Sequence, residues 1–393
     1  MINTTYKLRS LHIATVIILL WLLFFDILSA QIADPVNDKS IFRGVRGVTM
    51  GGVVQQWSIT GLGTISQQSF PLSISLPLGN RMLLSVATSG MNTSTTAKVD
   101  TSNNGMVDTR FSLSYVLPGD KVWLTAGLSL PTGKTKLEQK ELQMTTLISQ
   151  TAFNYKVPTF GQGLSGNFGL VYAGTITRRM VLGIGASYNF KGEYEPINLN
   201  PSANPKYNPG DEISTNLAFN YITYSKSARL SMDVTATYFF KDKINDVIKY
   251  QSGSRAIGLI SYSLKMGTFN HLLQTRMRYR LPNTRFEKDT TEYTSSTQIE
   301  GQYSLSTRLN DWLNGTIIGE YKLYSADQTI IAGNLVETGK AGIASLGGDA
   351  GFLFSDIIYP TVSIRYSIGS IMYEGKSYNV SGIEAGVGVK ISF

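Results

Sequence analysis

Arg276, Arg278 and Arg280 stand at every second position of the run FNHLLQTRMRYR, with Leu273, Met277 and Tyr279 on the opposite phase. Residues two apart on an extended strand share a face, so this spacing gathers three guanidinium groups on one side and apolar groups on the other. Glu300, Glu320 and Lys322 hold the same polar phase in the two alternating runs that follow, and Asp108, Arg110, Lys191, Asp233, Asp349, Arg365 and Lys390 do so elsewhere. The chemistry open to such a set is electrostatic. Either a ring of fixed charge selects ions and polar solutes, or opposite charges pair and hold the structure together. Strand register decides between the two, and a single sequence does not display it.

Covalent chemistry is thinly supplied. The chain has no cysteine, which excludes disulfides, thiol nucleophiles, thiolate metal sites and a lipidated cysteine together. Of two histidines, His12 lies in the N-terminal leader, and His271 begins a strand without an adjacent serine or acid to make a nucleophile and base pair. An enzyme is therefore not expected. The string GLSLPTGKT ends like a phosphate loop, but five residues separate Gly127 and Gly133 where the loop needs four. No cofactor is implied. The formal charge is +8, yet the basic residues are scattered singly, so nucleic acid is not an expected partner.

The elements that position these charges begin after a leader. Lys7 and Arg9 precede an apolar run from Ile13 to Phe25, and Leu28-Ser29-Ala30 offers a small residue for cleavage. This reads as a secretory signal peptide over residues 1–30, or as a retained anchor, followed by a periplasmic or lumenal segment over 31–45 and a barrel over 46–393. Loss of the leader removes Lys7 and Arg9 against Asp26, one unit of the positive balance. Beyond it no run approaches the roughly 20 apolar residues of a spanning helix. Instead, segments of about ten residues alternate apolar and polar, the signature of a strand with one lipid face and one wet face. Charged side chains cost roughly 2 to 4 kcal/mol against lipid at mid-depth, which assigns the charged phase to the interior.

Tight breaks fall at Gly79-Asn80, Pro118 to Asp120, Arg178-Arg179, Ser225 to Ala228, Met266 to Asn270, Arg308 to Asp311 and Ser355 to Pro360. Long polar breaks at 92–105, 132–163, 192–211, 242–250, 282–292, 326–339 and 373–380 alternate with them. Short periplasmic turns and longer extracellular loops have this rhythm. The fold class is all-β, a transmembrane antiparallel up-and-down barrel of sixteen strands, or of fourteen if the segment near 47–60 is a lumenal plug. The polar phase over 107–117 puts Val107 with Phe111 and Leu113 on the lipid side, opposite Asp108 and Arg110. Within the longest loop, Leu137, Met144 and Ile148 share a helical face, giving a short amphipathic lid or constriction, with a mobile polar loop as the alternative. The loop containing Tyr194, Pro196 and Tyr207 binds a ligand or holds its own shape.

The last strand alternates Val387, Val389 and Ile391 with glycine and lysine and ends on Phe393, similar to the signal read by the bacterial barrel-assembly machinery. The stretch Asn104 to Lys134 carries Gly105, Asp108, Pro131, Thr132 and Gly133, and Pro77-Leu78-Gly79-Asn80-Arg81 forms an early turn. On these residues the chain resembles the outer-membrane barrel family named for the meta-pathway of phenol degradation. That resemblance implies a transporter distantly similar to the long-chain fatty-acid channels, with no particular substrate. The expectation is a protein of the Gram-negative outer membrane that passes small, apolar or aromatic solutes passively. A general or weakly anion-selective porin, and a structural or adhesive barrel without transport, are the alternatives. The expected partners are outer-membrane lipid, the assembly machinery and a small solute.

Overall fold

The computed structural model describes residues 42, 45–98, 100–148, 151–155, 157–158, 160–197, 204–286, 290–331 and 334–393. The expected signal peptide, and all but Phe42 and Val45 of the segment 31–45, lie outside them.

Sixteen antiparallel strands close on themselves. They are β1 (Gly47–Ile59), β2 (Gly63–Leu78), β3 (Met82–Thr95), β4 (Thr101–Met106 continued by Thr109–Val116), β5 (Val122–Leu130), β6 (Ser165–Thr177), β7 (Met180–Lys191) and β8 (Glu212–Ile222). The circuit continues through β9 (Ala228–Phe239), β10 (Arg255–Met266), β11 (Phe269–Arg280), β12 (Ser296–Asn310), β13 (Leu313–Tyr324), β14 (Ala341–Phe352), β15 (Ile358–Tyr373) and β16 (Lys376–Ser392). Each strand pairs with its chain neighbours, and β1 pairs with both β2 and β16. The segment near 47–60 is thus wall, which excludes the fourteen-stranded alternative. Gly47 lies opposite Ser392, so both ends of the barrel chain reach the same rim.

The outer surface explains why the sequence alternates. Phe70, Phe168, Leu170, Ile184, Leu217, Met277, Ile317, Leu346, Ile364 and Val387 are all exposed large apolar residues on the outward phase. In water such a surface would aggregate, whereas in hydrocarbon only a closed ladder leaves no backbone group unpaired. The chain is an outer-membrane β-barrel.

Two of the expected long loops are not loops. Strands β3 and β4 run to Thr95 and resume at Thr101, and β15 and β16 are joined only by Glu374 and Gly375. Both turn residues have positive φ (49° and 75°), as the hairpin turn that matches strand twist requires. The polar residues of Asn92–Thr95 and Ser377–Asn379 continue the ladders above the apolar band; Thr93 and Thr95 are buried inward while Asn92 and Ser94 are exposed, so both phases are polar and alternation disappears.

A further correction concerns Val107. Gly90 pairs with Met106 and Ala87 with Arg110, three steps against four, so β4 carries a one-residue bulge at Val107-Asp108. The extra residue reverses side-chain phase. Val107 therefore points inward and is buried with Met91 and Val157, while Phe111 points outward.

The loops at the far rim build a second layer. Short strands over 207–208, 241–244, 247–251, 284–286 and 290–292 form a five-stranded sheet, and 327–331 pairs with 334–338.

Candidate functional site

The segment between β5 and β6 does not project outward. Its helix α1 (Gln139–Ile148) and the turn Thr151–Phe153 pack on inward-phase side chains of β1, β2 and β13 to β16, so the segment sits inside the ring. Met144, Leu147, Ile148 and Phe153 meet Trp57, Ile59, Ile65, Tyr324, Ile343, Ile371 and Val380 in one buried cluster. Leu137, Met144 and Ile148 are all buried, but only Met144 and Ile148 share the expected helical face; Leu137 precedes the helix and bridges Ile197. Phe153 and Trp57 rings lie 5.2 Å apart.

Polar wall residues hold this segment's backbone. Trp57 Nε1 donates to Phe153 O (3.1 Å), Gln55 Nε2 to Asn154 O (3.2 Å) and Gln67 Nε2 to Val157 O (3.0 Å). Tyr155 hydroxyl donates to Ile65 O (3.1 Å). Buried carbonyls left without these donors would carry a desolvation cost, so three wall side chains specify one seat for the segment. The helix start is fixed by Glu141, whose carboxylate accepts from Glu138 N–H (2.9 Å) and from Lys134 Nζ (2.6 Å).

Asp108 closes the neck. Its two carboxylate oxygens accept from Gly133 N–H (3.0 Å) and Gln162 N–H (2.6 Å), where the segment leaves and rejoins the wall. A Cβ on Gly161 would stand 2.5 Å from Asp108 Oδ1, so glycine is needed for this approach. The residues that carry the family resemblance, Asp108, Thr132 and Gly133, thus form one fastening. Each such bond to a charged acceptor is worth roughly 1.5 to 3 kcal/mol. Asp108→Asn is expected to keep the barrel heat-modifiable but loosen the segment, so that trypsin cuts faster at the already exposed Lys134, Lys136 and Lys140. Equal cleavage of variant and parent would contradict this role.

The other charged candidates all point inward, and most meet across the ladder. Arg276 faces Glu300 in register and bonds it at 2.5 Å. Glu300 faces Lys322 on β13 and accepts from the Tyr324 hydroxyl. Glu320 Oε2 lies 3.8 Å from Lys322 Nζ and 3.6 Å from Arg365 Nη1. Arg365 faces Glu384, which faces and accepts from Gln55 (2.9 Å). The result is a continuous polar belt from β11 round to β1. A cavity of about 20 Å³ between Trp57, Phe153, Glu320 and Arg365 has room for one water. Asp233 accepts from Asn216 Nδ2 (2.8 Å), while Arg110 stands exposed and away from the belt.

One part of the belt is not neutralised. Arg255, Arg276, Arg278 and Arg280 share the inner face of β10 and β11, with Arg255 opposite Arg280. Glu300 takes Arg276 and Asp327 takes Arg280. Arg278 instead bonds Gln298 Oε1 (2.9 Å), and Arg255 lies over the Phe239 ring at 5.3 Å. The Nε atoms of Arg255, Arg278 and Arg280 are buried without a hydrogen-bond partner among the described residues. Among the described residues, four cations therefore answer to two carboxylates. Sequence reading missed Arg255, Gln55, Gln67 and Trp57; their polar or bulky side chains on the inward phase were the available signal.

The rim sheet braces the inserted segment. Leu137 N–H donates to Pro196 O (3.0 Å), Tyr194 bridges Tyr207, and Tyr207 hydroxyl donates to Asp242 (2.7 Å). The loop with Tyr194 and Pro196 holds structure here. Burial, and secondarily Asp242, pushes the Tyr194 hydroxyl up to about 12, and burial does the same for Tyr250. Tyr207 is raised further, by burial and its bond to Asp242. Raised folded values mean these contacts are intact below pH 10 and are lost as pH rises toward 12. Tyrosinate absorbance of the native protein is expected to lag that of the unfolded chain across this window, and superimposed titrations would contradict it.

His271, the one histidine outside the leader, shares a hydrogen bond with the Tyr303 hydroxyl (2.8 Å).

No known protein family matches the chain, and no curated protein does. Among solved structures it is similar to OprB of Pseudomonas putida, with TM-score 0.45 and 10% identity over 88% of this chain and 94% of that one. The anion-selective porin from Comamonas acidovorans gives TM-score 0.40 and 12% identity over 88% and 99%. The CymD monoaromatic hydrocarbon channel gives 0.38 and 14% over 88% and 89%. At these identities the likeness concerns the barrel fold alone.

Proposed function

We propose that this outer-membrane barrel is a passive aqueous channel for small polar solutes with a preference for anions. The observation that carries this reading is the arginine wall of β10 and β11, where Arg255 and Arg278 are held by an aromatic ring and an amide rather than by carboxylates. Uncompensated cations on a water-facing wall raise the local concentration of anions and lower that of cations. The inserted segment packs against β1, β2 and β13 to β16, so the path runs past it along the β8 to β11 side, where Arg276 is part-exposed. Candidate lining residues are Arg276, Arg278, Arg280 and Asp233, with Arg110 on the facing wall; Glu300, Glu320, Lys322 and Arg365 support them.

An apolar solute fits less well. The apolar inward side chains, Ile59, Ile65, Ile343 and Ile371, are sealed beneath the inserted segment and line no path. The reading involves no catalytic step and no cofactor. It also keeps Val387, Val389, Ile391 and Phe393 as the assembly signal, since β16 is the strand that closes the ring on β1.

Proteoliposomes test the function directly. Loaded with succinate or with putrescine, they are expected to release the dianion faster. Equal retention of both would overturn the channel, and faster loss of the diamine would overturn the preference.

A further inference from the structure

At the opposite rim, three adjacent turns bring together a second basic cluster that the channel reading does not use. Arg178 and Arg179 come from the β6–β7 turn, Lys226 from the β8–β9 turn, Arg229 from the start of β9, and Lys265 from the end of β10. They line a cleft of about 600 Å³ with Ile222, Tyr224, Leu264 and His271. Among the described residues, none of the five cations forms an ion pair with a carboxylate.

The cleft is preformed. Thr223 N–H donates to Ala228 O and Thr223 O accepts from Lys226 N–H (both 3.0 Å), Ala228 N–H donates to Thr223 Oγ1 (3.1 Å), Lys265 N–H donates to Ser227 O (2.7 Å), and Arg229 Nε donates to Asn220 Oδ1 (2.5 Å). The Arg179 guanidinium stacks 3.9 Å from the centre of the Tyr224 ring, which fixes its direction while leaving its charge unspent.

Its position is as informative as its charge. By strand phase Arg229, Ser263 and Lys265 face the interior while Ala228, Leu264 and His271 face outward, so the cleft straddles the rim. Directly beside it, Ile176, Met266 and Phe269 are exposed on the lipid-facing phase. Cations above an apolar, outward-facing shelf match an anionic headgroup whose chains continue into the leaflet. We propose that this cleft binds the phosphate-bearing headgroup of an anionic phospholipid in the periplasmic leaflet. A free phosphate would meet the same cations but would gain nothing from the shelf.

Native mass spectrometry of the refolded protein in a non-ionic micelle separates these sources, with dioleoylphosphatidylglycerol, dioleoylphosphatidylcholine and inorganic phosphate as probes. The anionic lipid is expected to be retained over the zwitterionic one. Each of Arg178→Gln, Arg179→Gln and Lys265→Gln is expected to weaken it by about fivefold, the scale of one cation near a lipid surface. Arg308→Gln, at the end of β12 on the same rim but outside the cleft, serves as the control. Equal retention of the two lipids, no change in the three variants, or displacement of the lipid by millimolar phosphate would each overturn the proposal. Should one of these variants not give a heat-modifiable barrel, the other two, also on side chains open to solvent at this rim, carry the test.

Discussion

Deleting residues 137–157 and joining Lys136 to Pro158 through a short Gly-Ser linker is expected to raise the conductance of the refolded barrel severalfold. The segment fills the upper lumen along nearly half the wall, and its removal uncovers Ile59, Ile65, Thr93, Thr95 and Ile343, all nearly inaccessible in the parent. Strand pairing does not depend on it, because every barrel strand remains hydrogen-bonded to its two neighbours. Apolar side chains freed into a wet lumen cost stability at about 25 cal/mol per Å² of area uncovered, so a lower unfolding temperature accompanies the wider pore. Trp57→Ala is the milder form of the same experiment. It removes both the ring against Phe153 and the donor to Phe153 O, and current noise from a loosened segment is expected before any full opening. Unchanged conductance in the deletion would mean that the segment does not limit the path.

The second large effect concerns selectivity. Converting Arg255 and Arg278 to glutamine removes the two cations that lack carboxylate partners, leaving Arg276 with Glu300 and Arg280 with Asp327. The anion preference is expected to vanish, and the double glutamate variant to prefer cations. Neutralising a paired residue behaves differently: Arg365→Gln leaves Glu320 with only Lys322 nearby and is expected to destabilise the inner belt more than it alters selectivity. Reversal potentials in the four proteins separate these outcomes. A selectivity that follows Arg365 rather than Arg255 and Arg278 would move the filter to the other side of the lumen.

Much of this architecture was legible in the residues, and the reasons differ by element. Lipid on one face and water on the other forces alternation, so the phase of β9, β11 and β15 could be read from Met232, Met277 and Ile364 against Asp233, Arg278 and Arg365. The buried helical face of α1 was visible in part, because Met144 and Ile148 recur at helical spacing in an otherwise polar stretch, whereas Leu137 precedes the helix and bridges Ile197. The bulge at Val107-Asp108 was not visible, since one inserted residue reverses phase without altering composition. Nor was the full height of β3 and β16, because a strand with polar residues on both faces has the composition of a loop. Charge pairing was hidden for a different reason. That Glu300 faces both Arg276 and Lys322, and Glu384 both Arg365 and Gln55, depends on register between neighbouring strands and, for Gln55, on closure of the last strand on the first.

The most direct test of the central claim is the zero-current potential of the refolded parent protein in a planar bilayer under a tenfold gradient of potassium chloride. A steady current is expected, with a reversal potential that has the sign of chloride selectivity and shrinks as salt screens the arginine wall. A potential of zero, one of the potassium sign, or a silent barrel of verified fold would contradict an open, anion-preferring channel.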